Sequence, residues 1–270
     1  MGVRTVRRPV VVGVDGSSAA LAAVRWAAVE AGRRGTGLVV FHAELCDDPD
    51  LLPHGKPPGD AELLMEPARR LLRQAAETAR QAAPAVPVRM CVRLGTAAGL
   101  LAALSDEAGL LALGAHGLGG ARGGAIGSVA LRAAASARCP VVVIRGSAAA
   151  DGPVVVGLDD SDGGERALAF AFDAAVSRGT GIEAVHAWHD GREGGLREQV
   201  AAWSRKHPVV PVRMHVVRVR SAARALPGIS AGAQLIVAGA RASGPLAGGL
   251  LGSTGYWLLA HAACPVAVAR

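Results

Sequence analysis

The sequence predicts an α/β chain of two tandem domains, each a five-stranded parallel sheet with helices on both faces. Short runs rich in Val, Leu and Ile, bounded by Gly or Pro, alternate with longer alanine-rich stretches at helical spacing. Strands buried on both faces that alternate with helices imply parallel pairing through right-handed crossovers. The pattern also occurs twice. Pro9-Val10-Val11-Val12-Gly13-Val14-Asp15 returns as Pro153-Val154-Val155-Val156-Gly157-Leu158-Asp159 at an offset of 144, and His42-Ala43 returns as His186-Ala187. Pro87-Val88-Arg89-Met90 then matches Pro211-Val212-Arg213-Met214 at an offset of 124, and Cys139-Pro140-Val141 matches Cys264-Pro265-Val266 at 125. The second copy is therefore about twenty residues shorter between its second and third strands. A period this long marks a duplicated domain, because solenoid units repeat every 20 to 50 residues or so. The copies are placed at 1–146 and 153–270, joined by an alanine-rich linker from Gly146 to Gly152.

In the first copy the expected strands are Val10–Val14, Leu38–His42, Val88–Arg93, Leu110–Leu113 and Val141–Ile144. The first helix is expected from Ser18 to Gly32, with Ser17 or Ser18 as its cap and Gly32 as its stop. Glu62–Ala83, ended by Pro84, is the second; Thr96–Glu107 and Ser128–Ala137 complete the four. Cys46–Gly59 holds Pro49, Pro53, Pro57 and Pro58, which keep it a loop. The second copy repeats the strand order with Val154–Leu158, Ile182–His186, Val212–Val219, Leu235–Ala238 and Val266–Ala269.

Composition narrows the function classes. At 270 residues each copy can bury its own core, and 51% hydrophobic with only 3% aromatic residues means a core of Ala, Val and Leu. Few aromatics weaken any case for stacking on nucleic acid. The net charge of +7 comes almost wholly from arginine spread through both copies, with lysine only at Lys56 and Lys206 and no basic run, so nucleic acid is not the expected partner. Cys46, Cys91, Cys139 and Cys264 have neither zinc-ligand nor disulfide-framework spacing. Asp15 ends the first apolar run far short of a signal-peptide core, and no run approaches the roughly 18 residues of a membrane span, so a cytoplasmic protein is expected.

The chemistry concentrates after the fourth strand of each copy. Gly114-Ala115-His116-Gly117, nine residues, then Gly127-Ser128 is echoed by Gly239-Ala240-Arg241-Ala242, nine residues, then Gly252-Ser253. Glycines let an anion approach backbone amides, and a Ser where a helix begins can cap it and donate to that anion, so the repeated feature has the parts of a phosphate cradle. In an open parallel sheet, ligands bind beyond the carboxyl ends of the strands near the switch point, where Asp15, Ala43 and Gly114–Ser128 converge. The Gly-x-x-x-x-Gly-Lys-Ser/Thr loop is absent, and Gly13-Val14-Asp15-Gly16 fails the dinucleotide fingerprint, which excludes those two classes. His42 and His186, at strand ends, are expected to be structural, and Cys139 and Cys264 to be buried small residues. No nucleophile stands with an orienting base, so no catalytic residue and no protein metal site is assigned.

The Asp-ended first strand, the Gly-Ala-His-Gly, nine residues, Gly-Ser-Val run and the closing Cys-Pro-Val strand resemble the universal stress protein family in its tandem, ATP-binding form. The resemblance implies a Rossmann-like fold of the adenine nucleotide alpha hydrolase type. It implies ATP with Val14, Asp15 and Ala43 at the adenine and ribose end, and with Gly114, Gly117, Gly127, Ser128 and Val129 around the phosphates. Mg would be held through those phosphates, with Arg122 near them. A second, weaker site is expected at Asp159, Ala187, Gly239, Gly252, Ser253 and Thr254, where Ala242 replaces the glycine found at Gly117 and Asp160 and Asp162 add carboxylates. The family further implies pairing of the two domains through their apolar fifth strands, room for a homodimer, and a regulatory protein partner. The function expected is a nucleotide-dependent stress-response sensor; a slow ATPase and a nucleotide-free scaffold are the alternatives.

Overall fold

The structure, a computed structural model, describes residues 7–45, 65–119, 126–159, 161–188, 194–218, 232–240 and 251–270. The proline-rich loop Cys46–Gly59, Arg122, Asp160, Arg241 and Ala242 lie outside them. The chain divides into two compact units, Met1–Arg122 with Gly127–Ala133 and Ala137–Cys139, and Gly123–Ile126 with Ala134–Ser136 and Pro140–Arg270.

In the first unit, β1 (Val10–Gly13), β2 (Leu38–Glu44), β3 (Val88–Leu94) and β4 (Leu110–Gly114) lie side by side in the order β3-β2-β1-β4, all parallel. Val10, Val11 and Val12 are buried on both faces of the inner strand, which is why that run is continuously apolar. β3 is paired to β2 over seven residues and exposes Arg89, Met90 and Arg93, the charged decoration that protects an edge. The helices are α1 (Ser18–Arg34), α2 (Glu66–Ala82), α3 (Ala97–Leu104) and α4 (Ser128–Ser136), the last divided between the two units. The Ser17 hydroxyl caps α1 by accepting from Ala20 N at 3.1 Å. The helix runs two residues beyond the expected stop at Gly32, because Gly35 takes the left-handed conformation (φ 61°, ψ 41°) and its N–H closes on Ala31 and Gly32 carbonyls. Arg33 and Arg34 in that last turn also favour the longer helix through its dipole. Buried Glu30 is paired with Arg34 at 2.6 Å, one turn away.

The second unit holds β5 (Val141–Ile144), β6 (Val154–Leu158), β7 (Ile182–Trp188), β8 (Val212–Arg218), β9 (Leu235–Gly239) and β10 (Val266–Ala269). Their order is β5-β10-β9-β6-β7-β8. The five strands of the second copy are all parallel, in the arrangement of β3-β2-β1-β4 extended by one strand. β5 runs antiparallel to β10, with Val143 opposite Val266 and Val141 opposite Val268. Repeat and compact unit thus differ in where β5 falls. Arg145 follows β5 and donates to the Leu259 carbonyl, while Arg270 follows β10 and donates to the Ala134 carbonyl at 2.6 Å. Ala134 and Leu259 stand near the ends of α4 and α7 (Ser253–His261), where helix carbonyls lack internal partners. Burial holds the Arg145 guanidinium below its usual pKa. Cys139 and Cys264 are buried as expected, and burial pushes the Cys264 thiol up to about 11.

The two copies fill the space between their first two helices differently. α1 packs on α2, and Ala28 of the one and Ala75, Ala76 and Ala79 of the other are fully buried. At the positions of Ala28, Ala79 and Ala83, the helices α5 (Asp162–Arg178) and α6 (Gly194–Lys206) and the residue after α6 carry Phe172, Trp203 and His207. Their rings stack, with Phe172 centred 5.7 Å from Trp203 and 5.3 Å from His207. Phe172 is completely buried. Truncating Phe172→Ala should therefore lower unfolding free energy by about 3–5 kcal/mol in a guanidinium titration; a loss below about 1 kcal/mol would mean the helices close over the gap.

Candidate functional site

The order β3-β2-β1-β4 requires the chain to leave β1 on one side and return on the other, so the crossovers diverge at the carboxyl ends of β1 and β4. A cavity of about 280 Å³ lies at that divergence. Phe41, Ala97, Leu101 and Leu113 give it apolar walls, while Asp15, His116 and Ser128 supply its polar side chains.

Asp15 organises the polar side. One carboxylate oxygen accepts from Ser17 N at 3.0 Å, tightening the β1–α1 turn, and the other accepts from Leu118 N at 3.1 Å in the loop after β4. Gly16 completes the turn at φ 90°, a conformation that a side chain would strain. The Ser17 hydroxyl, besides capping α1, donates to the His116 carbonyl at 3.4 Å. Gly117 is confined by the same carboxylate, since a Cβ there would stand 2.6 Å from Asp15 Oδ2. Its φ is not positive, so glycine is required by steric approach to Asp15 and not by a left-handed backbone. Gly114 has a different reason: a Cβ there would lie 2.7–2.9 Å from the Ala19 and Ala20 backbone, so it lets α1 close on β4.

The opposite wall is the N-terminus of α4. Its cap is Gly127, and Ser128 is the first helical residue, one position later than a serine cap would stand. Gly127 has φ −66° and ψ 148°, the extended geometry of a Ser or Asp cap, and no side chain caps the helix. The amides of 128, 129 and 130 begin the helix without internal acceptors, beside a cavity that Ser128, Val129 and Ala130 line. Gly127 N is tied to Ala115 O at 2.8 Å, which fixes the helix start against the loop.

Val14, Asp15, Ala43, Gly114, Gly117, Gly127, Ser128 and Val129 all line this one cavity. β1 stops at Gly13, two residues short of Asp15, and β2 runs through Ala43 to Glu44. Phe41, Ala97, Leu101 and Leu113 were not legible as site residues, because an apolar wall has the same pattern as core. His42 and His186 are structural, their Nδ1 atoms bonding the carbonyls of Val14 at 2.7 Å and Leu158 at 3.2 Å. In the second copy Asp159 accepts from the Ser161 amide and hydroxyl. Ala187 lies in β7, Gly239 ends β9, and Gly252 caps α7 ahead of Ser253 and Thr254 with φ −60° and ψ 158°.

The model of the universal stress protein family matches residues 7–145 and 190–270. The chain belongs to the universal stress protein family. A universal stress protein of Mycobacterium bovis is 36% identical over 285 aligned residues, covering 97% of this chain and 96% of the relative. One from Mycobacterium tuberculosis is 35% identical with the same coverage. The crystal structure of a universal stress protein from Archaeoglobus fulgidus superposes with a TM-score of 0.76, covering 97% of this chain and 96% of that one at 17% identity, which establishes the shared fold. The tandem layout is therefore that of universal stress proteins of the same length. Among the described residues no helix is long and apolar enough to cross a membrane.

Removing the Asp15 carboxylate leaves two backbone amides without acceptors. Asp15→Ala should lower stability by about 1–3 kcal/mol and speed hydrogen exchange at Leu118 and Ser17 before other amides. Unchanged exchange at Leu118 would show that the loop is held by something else.

Proposed function

We propose that the first copy of this universal stress protein binds ATP in the cavity at the switch point and that occupancy regulates a protein partner in a stress response. The observation that supports the reading best is the glycine cap of α4. Its backbone geometry would accept Ser or Asp, yet it carries no side chain, so the helix amides and dipole remain available to a phosphate. The roles follow the chemistry of the lining: apolar walls with Val14, Asp15 and Ala43 take the base and ribose, and Gly114, Gly117, Gly127, Ser128 and Val129 surround the phosphates. Mg would be carried by the phosphates, since among the described residues no group of three His, Cys, Asp or Glu side chains is placed to hold a metal ion.

The duplicated segments 1–146 and 153–270 are the proposed domains, with unequal sites. Asp15 and Asp159 each accept from the amide two residues on, Ser17 and Ser161, and the inequality rests on the sequence, where Ala242 replaces Gly117 and Asp160 and Asp162 add carboxylates. Titration calorimetry should give close to one ATP per chain; two equal, tight sites would refute the inequality. The reading is of a cytoplasmic regulator and not of an enzyme, with a slow ATPase and a nucleotide-free scaffold as the alternatives. Mass spectrometry of ligand released from purified protein distinguishes the outcomes: ATP supports the regulator, ADP with turnover a slow ATPase, and no nucleotide a scaffold.

Gly127→Asp tests the cap directly. The carboxylate should satisfy the first amides of α4, leaving stability equal or a few tenths of a kcal/mol higher, and ATP affinity should fall at least about tenfold through competition and charge repulsion. Retained affinity in calorimetry would mean that the helix start is not the cradle.

A further inference from the structure

The two copies exchange an arginine. Arg145, directly after β5, donates to the carbonyl of Leu259 in α7, and Arg270, directly after β10, donates from Nη2 to the carbonyl of Ala134 in α4 at 2.6 Å. The two donors and the two acceptors are each 125 residues apart, so the exchange is reciprocal, and all four residues fall in one compact unit. The acceptor positions carry different side chains, Ala and Leu, while both donors are Arg, which fits a bond made to main chain.

Ala134 is where α4 runs out of donors of its own. Ala137 N closes on Ala133 O, but the backbone turns extended at Ala137 (ψ 154°), and the next amide, Arg138 N, donates to the hydroxyl of buried Ser105 at 2.8 Å. The Ala134 carbonyl is left to a guanidinium carried by the last strand of the second copy. The other helix at the switch point is closed differently. α1 has the Ser17 hydroxyl at its start and the left-handed Gly35 amide at its end, both from its own segment of chain. α4 has no side-chain cap at its start and an arginine of the other copy at its end. Its nine residues fall short of the 12–15 or so at which an isolated helix is even marginal, so its order depends on what sits at its two ends.

We infer that Arg270 is a positioning residue for the nucleotide site of the first copy: by holding the last turn of α4, it keeps the amides at the start of that helix aligned on the phosphates. The inference rests on the nucleotide reading of the cavity and adds to it a link from the second copy to the first. The guanidinium stands at the negative end of the helix dipole and the phosphates at the positive end, so each favours the helix that the other needs. Linkage makes the effect reciprocal, the arginine strengthening phosphate binding by the same factor as phosphate binding steadies the last turn. A factor of about five is the expected size.

The test titrates the full chain with ATP and with adenosine, unmodified and as Arg270→Met, Arg270→Lys and Arg145→Met. Met keeps an apolar stem without charge or donor, and Lys restores both. Arg270→Met should weaken ATP about fivefold and leave adenosine within about twofold, and Arg270→Lys should recover most of the loss. Arg145→Met, which removes the donor to α7 instead, should leave ATP binding within about twofold. Hydrogen exchange on the unmodified protein reads the same link without a substitution: ATP, but not adenosine, should slow the Ala137 amide about fivefold. Equal loss of both ligands in Arg270→Met, or equal loss of ATP in Arg270→Met and Arg145→Met, would assign the arginine a general structural role and overturn the inference while leaving the nucleotide reading intact. Unchanged ATP affinity in Arg270→Met, or unchanged exchange at Ala137, would overturn it as well. Failure of the unmodified chain to bind ATP would remove both readings.

Discussion

The site depends on one carboxylate placed between two crossover loops. A parallel sheet whose order reverses at β1 and β4 opens a crevice, but an open crevice is not yet a site: its two sides must be held at a fixed separation. Asp15 does this by accepting from the turn before α1 with one oxygen and from the loop after β4 with the other. Gly16 supplies the left-handed turn that aims the carboxylate, Gly117 stays bare so that the loop can approach it, and Ser17 adds a second tether to His116. Three consecutive residues, Asp15 to Ser17, and the distant Gly117 therefore serve one hydrogen-bonded bridge. An Asp follows the first strand for a reason of architecture that precedes any ligand.

Much of this was legible in the sequence, for physical reasons that differ by element. Buried parallel strands are continuous β-branched runs, so Val10–Val12, Val141–Ile144 and their copies declare themselves. Element ends were less legible because two signals compete within a few residues. Gly32 and Gly35 both offer a stop to α1, and only the left-handed turn that the chain adopts at Gly35 decides between them. Ser128 and Gly127 both offer a start to α4, and the serine, better by propensity, is bypassed. The apolar wall of the cavity was not legible at all: Phe41, Leu101 and Leu113 repeat at the same spacing as core residues, and only the reversal of strand order leaves them facing a crevice. Gly117 was legible as part of the glycine loop, but its closeness to Asp15 was not, since sequence does not show that a carboxylate a hundred residues away stands against it.

The comparison between copies shows which parts of the fold tolerate change. The helix pair behind the sheet went from alanine against alanine to a stack of Phe172, Trp203 and His207, a large change in volume absorbed between α5 and α6. The strands, the left-handed glycines after α1 and α5, and the histidines that bond the carbonyls of Val14 and Leu158 did not change. Gly114 and Gly239 also stand at equivalent strand ends, and a Cβ on Gly239 would strike the Gly163 carbonyl much as one on Gly114 would strike Ala19. Conservation between the copies therefore follows backbone constraint: positions where main chain meets main chain are fixed, and positions where side chain meets side chain are free to repack.

The same comparison isolates the glycine caps. α1 and α5 are capped by Ser17 and Ser161, so each copy makes a serine cap at one side of its switch point. α4 and α7 start instead at Gly127 and Gly252, with dihedrals within about 20° of those at Ser17 and no side-chain bond to the first amides. Backbone geometry cannot explain the difference, because the glycine conformation is one that serine adopts elsewhere in this chain. Stability opposes it only weakly, since glycine at a cap costs a few tenths of a kcal/mol relative to serine. A change that small is readily outweighed by what an uncapped helix start offers, which is several backbone donors and a positive dipole end, at α4 beside the cavity. On the nucleotide reading proposed above, the glycine cap of α4 is where the requirements of folding and of anion binding separate: Ser17 satisfies its helix from within, and Gly127 would leave that to what enters the cavity.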